Sequence, residues 1–179
     1  PLKAQSMVSE AIDRWVWYAG WSDKLSAVTG ATNPVAGPYY NFTIPEPLGV
    51  VVITAADSFI DFIDAIAAAV VSGNSVIALV DGGLSVPAMT FAEVLATSDL
   101  PAGVINILTG SLDELAPWAA SHMDVDGFDI SAIGKKKRTE LKVAGAENLK
   151  RIYSADGKLT PSRILAFMEQ KTVWHTIGV

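Results

Sequence analysis

The stretch from Pro45 to Val80, PEPLGVVVITAADSFIDFIDAIAAAVVSGNSVIALV, constrains the fold more than any other part of the chain. Leu48 to Thr54 is a near-continuous apolar run rich in valine. Such a run fits a strand covered on both faces of a parallel sheet. Asp57 and Ser58 follow, and both residue types cap helices. Phe59, Phe62, Ile63 and Ile66 then fall at i, i+3, i+4 and i+7, one face of a helix, with Asp57, Asp61 and Asp64 off that face. Gly73-Asn74 closes the helix with residues that tolerate a left-handed backbone. Ser75 to Val80 is a second buried strand, which completes one βαβ unit.

The rest of the chain continues the alternation. Ala4 to Tyr18 reads as a helix whose face is Val8, Ile12, Trp15 and Val16, and a shorter helix spans Ser22 to Val28. Thr29 to Asn41, rich in Gly, Pro and Asn, reads as a loop or edge hairpin, with Pro45 and Pro47 flanking the entry to the first core strand. Asp81-Gly82-Gly83 is a turn. Val86 to Ala96 is a helix with Pro87 in its first turn, and Val104 to Leu108 a strand. Thr109-Gly110-Ser111 is a turn and Leu112 to Ser121 a helix. Gly127 to Ser131 is a strand, Gly134 to Ala144 a polar helix, and Leu149 to Ser154 a strand. Thr160-Pro161 starts a helix from Ser162 to Gln170, and Thr172 to Val179 alternates like a strand. Strands alternating with helices imply an α/β fold: a doubly wound, mainly parallel, Rossmann-like sheet with helices on both faces.

Composition closes off several functions. The 179 residues include no cysteine, which removes disulfides, cysteine-ligated metal and thiol catalysis. His122 and His175 are far apart, so no metal site is expected. A net charge of −6 disfavours nucleic acid, and no apolar run approaches the ~18 residues of a membrane span. No signal peptide is visible, and a cytoplasmic location is expected. The chain opens on Pro1 with residues that already look helical, as expected of a domain cut from a longer protein.

Individual residues invite both functional and structural readings. Asp57, at a strand-to-helix turn, is a candidate acid, but an N-cap accepting the first helical amides is the favoured role. Thr109-Gly110-Ser111 and Gly82-Gly83 lack any phosphate-loop spacing and read as plain turns. Trp15, Trp17 and Trp21 read as packing groups rather than a binding platform. Lys135-Lys136-Lys137-Arg138 reads as a solvated helix start, and His175 as structural.

Several segments, in order, resemble the aldehyde dehydrogenase superfamily. WVWYAGWSDKL (Trp15 to Leu25) is similar to its N-terminal helix segment, EPLGVVVIT (Glu46 to Thr54) to the first strand of its coenzyme-binding domain, and AAAVVSGNSVIAL (Ala67 to Leu79) to its "ALAAGNTVVLK". LPAGVINILTG (Leu100 to Gly110) and HMDVDGFDIS (His122 to Ser131) match the next two strands, and EQKTVWHTI (Glu169 to Ile177) its C-terminal oligomerisation strand. The resemblance implies a coenzyme-binding-like unit over 1–168 and an oligomerisation strand over 169–179, with contacts carried by Thr172, Val173, Trp174, His175, Thr176 and Ile177.

The departures point away from catalysis. Asp57 stands where the family's Asn helps hold an oxyanion, and an ionised acid cannot donate there. Leu79 stands where a ribose-holding Lys is expected, followed by Val80-Asp81-Gly82-Gly83. The Phe-Thr-Gly-Ser motif beside the nicotinamide becomes Ile130-Ser131-Ala132-Ile133. Glu147 aligns with the general base but lacks the glycines behind it. Barely a dozen residues separate Leu149 from Pro161, where the family carries its catalytic domain. ATSDLPAGVINILTGSLDELA (Ala96 to Ala116) and AGAENLKRIY (Ala144 to Tyr153) resemble the degenerate, non-catalytic second module of the sixteenth aldehyde dehydrogenase family. Two functions follow. One is a non-catalytic structural or regulatory module, partnered by the catalytic module of a parent enzyme or by a second copy in a homo-oligomer, with no cofactor expected. The other is a residual nucleotide- or dinucleotide-binding domain that keeps NAD if the ancestral site persists. The tail Thr172 to Val179 is expected to pair with a strand outside the parallel sheet, supplied by the parent's catalytic module or by a second copy.

Overall fold

A computed structural model describes residues 2–178. A long helix, Leu2–Ala19 (α1), leads into a short one, Leu25–Thr29 (α2). Ala31–Asn33 (β1) and Tyr39–Pro47 (β2) follow as an antiparallel pair. The βαβ unit comes next as Val50–Ala55 (β3), Phe59–Val71 (α3) and Ser75–Val80 (β4). A single 3-10 turn, Gly82–Leu84, precedes Ser85–Ala96 (α4), Ile105–Thr109 (β5) and Leu112–Ser121 (α5). Gly127–Asp129 (β6), Lys135–Ala146 (α6), Arg151–Tyr153 (β7), Ser162–Ala166 (α7) and Met168–Thr176 (β8) complete the chain.

The five parallel strands lie in the order β5-β4-β3-β6-β7. Period-two alternation in β3 and β4 sends side chains to both faces, and both faces are covered. Val51, Ile53, Val76, Ala78 and Val80 meet α3 and α4, while Val52 and Leu79 meet α5 and α6. A smaller cluster of Tyr18, Leu25, Ala67, Ala68, Ile164 and Met168 ties the end of α1 to α3 and α7. The tryptophans pack as expected: Trp15 stacks on Phe91 at 6.2 Å, and Trp17 lies against Tyr18 and Trp21.

Three local readings change. Val8, Ile12 and Val16 of α1 are exposed. The helix meets α3 instead through Ala11, Trp15 and Tyr18, small or flat groups that let two helices approach closely. Asp64, read as off the apolar face, is buried, because α1 covers that side of α3. Its Oδ2 accepts from Arg14 Nη1 at 3.1 Å, and its Oδ1 has no partner among the described residues. Burial raises the Asp64 pKa, although Arg14 and Arg163 pull it down. The helix from Ser162 stops at Ala166 rather than Gln170. Pro161 holds its cap position without a side-chain cap bond, and Thr160 Oγ1 turns instead to Ser162 Oγ at 2.6 Å.

The tail also finds a partner nearer than expected. From Met168 to Thr176 it pairs antiparallel with all of β2, Pro47 opposite Met168 and Tyr39 opposite Thr176. It does lie outside the parallel sheet, but its partner is in the same chain. The hairpin alternative for Thr29 to Asn41 holds, since β1 pairs with β2, but its second arm runs on through the proline-flanked entry as a nine-residue strand. Pro45 and Pro47 are tolerated in it because β1 reaches only Asn41 to Thr43, leaving the prolines on an otherwise open edge. Tyr39 packs edge-on against Trp174 at 5.9 Å, and Thr43 Oγ1 bonds Thr172 Oγ1 at 3.0 Å. Among the described residues no strand pairs with the other edge of β8. Val179, counted in the tail's alternation, lies outside the described residues.

One residue breaks a local rule. The end of α6 closes in a Schellman arrangement, Lys150 N to Gly145 O at 2.9 Å and Leu149 N to Ala146 O at 3.3 Å. The left-handed position usually held by glycine is Leu149, at φ 58°, with its side chain 94% exposed. Leu149→Gly should therefore stabilise the chain by about 0.5–1 kcal/mol, since it relieves the Cβ clash and loses almost no packing. Urea unfolding is the check; a lower midpoint would mean that the leucine makes contacts worth more than the strain.

Candidate functional site

Open α/β sheets bind ligands beyond the carboxyl ends of their strands, where the winding reverses. Here that point lies between β3 and β6. The chain winds from β3 through β4 to β5, then crosses back over α5 to β6 and β7.

The crevice between those strand ends is crossed by a polar network. Thr54 Oγ1, at the end of β3, donates to Asp129 O at 2.9 Å and accepts from Ala132 N at 3.3 Å. Asp129, the last residue of β6, is fully buried. Its Oδ2 accepts from Arg163 Nε at 2.9 Å and Nη2 at 2.7 Å. Its Oδ1 accepts from Ser131 N at 2.9 Å and from the Ser131 hydroxyl. Ser131 Oγ in turn accepts from Ala155 N at 2.8 Å. Burial works against the charge of Arg163, but the attraction of Asp129 outweighs it and raises the guanidinium pKa. Tyr18, buried nearby, is pushed well above its ordinary range, first by burial and then by Asp64. The arrangement locks two loops and α7 to the sheet through charge-assisted bonds.

The residues singled out in the sequence are placed as follows. Asp57 is exposed in the bend after β3 and caps nothing; the cap of α3 is Ser58, whose Oγ accepts Asp61 N at 3.1 Å. The reason is register: the helix starts at Phe59, which puts Ser58 at the capping position. Leu79 is buried in the core beneath α5, and Ile133 is buried beside it in the same cluster. Ser131 and Ala132 are half-buried and their polar groups are held within the network. Asp81, at the tip of β4, takes Gly82 N at 2.6 Å on Oδ1 and Leu112 N at 2.9 Å on Oδ2, so its carboxylate covers the start of α5. The basic run is less free than a solvated helix start. Arg138 donates to Ile133 O and Ser131 O at 2.8 and 2.9 Å, and Lys137 pairs with Asp113 at 2.5 Å. Glu147 follows α6 at the opposite end of that helix from the network.

Sequence reasoning missed Asp129 and Arg163. The signal was present: an acid inside the buried run Gly127-Phe128-Asp129-Ile130 requires a partner, because an unpaired buried charge is prohibitive. Among the described residues no group of three or more His, Cys, Asp or Glu is placed to hold a metal ion, and no helix is long and apolar enough to cross a membrane.

Comparison with known proteins agrees with this architecture. The profile described as the aldehyde dehydrogenase family matches residues 2–166. Human retinal dehydrogenase 2 is 32% identical over 152 residues, which is 84% of this chain and 29% of that protein. A solved aldehyde dehydrogenase from Burkholderia cenocepacia superposes with a TM-score of 0.73 at 29% identity, over 85% of this chain and 32% of that one. Betaine aldehyde dehydrogenase from Staphylococcus aureus, solved with NAD+, shares the fold at a TM-score of 0.75 and 19% identity, over 84% of this chain and 30% of its own. The chain thus spans about 30% of the length of the relatives it matches. With the profile covering nearly all of it, the chain belongs to the aldehyde dehydrogenase family.

Proposed function

We propose that this chain serves as a non-catalytic structural or regulatory module of a longer aldehyde dehydrogenase-like protein. The parent would be an NAD(P)-dependent aldehyde oxidoreductase, and the module would resemble the degenerate second unit of the sixteenth family. In this reading residues 1–168 form the coenzyme-binding-like unit and 169–179 the assembly strand. Its partners are the parent's catalytic module or a second copy. The observation that carries the reading is the state of the carboxyl edge. Asp129 is held by both Arg163 and Ser131, Thr54 bridges to it across the crevice, and Asp81 occupies the first amide of α5, Leu112 N.

Those residues do not fit a dinucleotide. Its pyrophosphate favours free amides at a helix start. Here a carboxylate already holds Leu112 N, and Ser58 Oγ holds Asp61 N with Asp57 beside it. Leu79 is buried and offers no hydrogen bond to a ribose. The chain also has no cysteine to supply the thiolate that covalent aldehyde chemistry needs.

The expected result is no NADH formation from a panel of aldehydes. Calorimetric titration with NAD or NADP should give no affinity tighter than about 1 mM. Turnover that survives repurification would overturn the non-catalytic reading. A low-micromolar dissociation constant without turnover would favour the residual dinucleotide-binding domain instead.

A further inference from the structure

Strand edges that face solvent are guarded in most proteins by charge, proline or brevity. Two outer edges here follow the rule. β7 has three residues and begins with Arg151, and β8 carries Glu169 and Lys171. β5 does not. It is the last strand of the parallel sheet on its side, and it reads Ile105-Asn106-Ile107-Leu108-Thr109, without charge or proline.

The ladder to β4 fixes which backbone groups are free. Val104 O accepts Val76 N at 2.7 Å, and Gly110 N donates to Val80 O at 3.0 Å, so these residues face inward. By alternation the N–H and C=O groups of Ile105, Ile107 and Thr109 face outward. Beside that edge lies a hollow of about 360 Å³ between α4 and β5, lined by Met89, Leu95, Leu100, Pro101, Ile105 and Ile107. Leu108 on the strand's other face is 50% exposed. An open edge beside an apolar groove supplies both parts of strand addition: main-chain bonds and pockets for alternate side chains.

Charge decides between occupants. From Leu25 to Gly134 the chain has no lysine or arginine and twelve acidic residues. Around β5 this leaves exposed Asp99 before the strand, Glu114 after it and Glu93 on α4, with no salt-bridge partner for any of the three among the described residues. A second copy docked edge to edge would bring these carboxylates together, which disfavours self-pairing. We infer that the β5 edge and its groove bind an extended segment of another protein, with alternating apolar residues flanked by lysine or arginine, as a sixth strand of the parallel sheet. The surface is lateral to the sheet and does not depend on whether the carboxyl edge binds a nucleotide.

The probe is a short amidated peptide in which valine and threonine alternate between lysine pairs, added to the isotope-labelled chain. Amide resonances of Ile105, Ile107 and Thr109 should shift on titration. Methylating the peptide's pairing amides should abolish the shifts. Replacing its lysines by glutamate, or using the chain with Asp99→Lys and Glu114→Lys, should weaken binding by about tenfold or more. Both sites are exposed, so the variant chain is expected to fold. Absence of shifts, shifts confined to other elements, or equal binding of the glutamate peptide would each overturn the proposal. So would concentration-dependent shifts of the same three amides in the chain alone, because they would identify a second copy as the occupant.

Discussion

Arg163→Ala should destabilise this chain by about 3–5 kcal/mol, and Asp129→Ala by a similar amount. Both side chains are buried, Asp129 completely. Removing the guanidinium strands a carboxylate beneath α7 with only Ser131 N and the Ser131 hydroxyl for partners. The cost is mostly the unpaired charge rather than the lost attraction, so replacing both residues tests the cause. Asp129→Leu combined with Arg163→Met should lose far less than either truncation, because two apolar groups of similar volume leave no buried charge. Urea unfolding of the two single variants and the double variant checks this. Additive losses would show that the residues act separately and that the pair is not the clamp between α7 and the sheet.

How far the fold was legible depended on which interactions hold each element. Ser75–Val80 and Leu112–Ser121 match their sequence readings to the residue, because each has a clear period and turn residues at both ends. The start of the last helix was visible at Pro161, but its end was not. Nothing local separates Ala166 from Gln170; the helix stops because Met168 must join β2 across the chain. The same long-range pairing turned the proline-containing segment Tyr39–Pro47 into a strand. Tyr39, Tyr40, Phe42, Thr43 and Ile44 favour a strand by propensity; it is Pro45 and Pro47 that argue against carrying it to its end, and the pairing with β8 overrides them.

The candidate site was legible as a set of departures but not as a structure. Asp57, Leu79 and Ser131 to Ile133 marked where a family pattern fails. What replaces that pattern is a contact between residues 34 positions apart, Asp129 and Arg163, which leaves no periodic trace. Asn74 is a comparable case. Read as a tolerant helix end, it is buried and knits three segments, accepting Gly49 N at 2.9 Å and donating to Phe167 O at 2.9 Å and Ala69 O at 3.3 Å. The left-handed position beside it belongs to Gly73, at φ 89°.

Deleting Gln170 to Val179 should unfold the small sheet while leaving the parallel one in place. β2 would keep its three register pairs with β1 but, of its nine with β8, only Glu46–Glu169 and Pro47–Met168 at one end, and a hairpin held by so little is marginal in water. The deletion also removes Trp174 from Tyr39, Thr172 from Thr43, and the Lys171–Glu46 pair. Hydrogen exchange separates the outcomes by element: amides of Tyr39 to Ile44 should lose protection, whereas those of Val51 to Thr54 should keep it. The large parallel core is insulated because its clusters draw on β3, β4, α3 and α5, and the truncated chain retains Met168, whose carbonyl accepts Arg151 Nη1. Assembly is a separate readout. β2 covers one edge of β8, so a copy or a parent module that adds to the tail must use the other edge. In the assembly proposed above, light scattering should give a lower mass for the truncated chain than for the intact one. Loss of β2 protection at unchanged mass would confine the tail to an internal role and remove it as an assembly element. Retained protection would mean that β2 is held by α2 and the rest of the chain rather than by its nine pairs with β8.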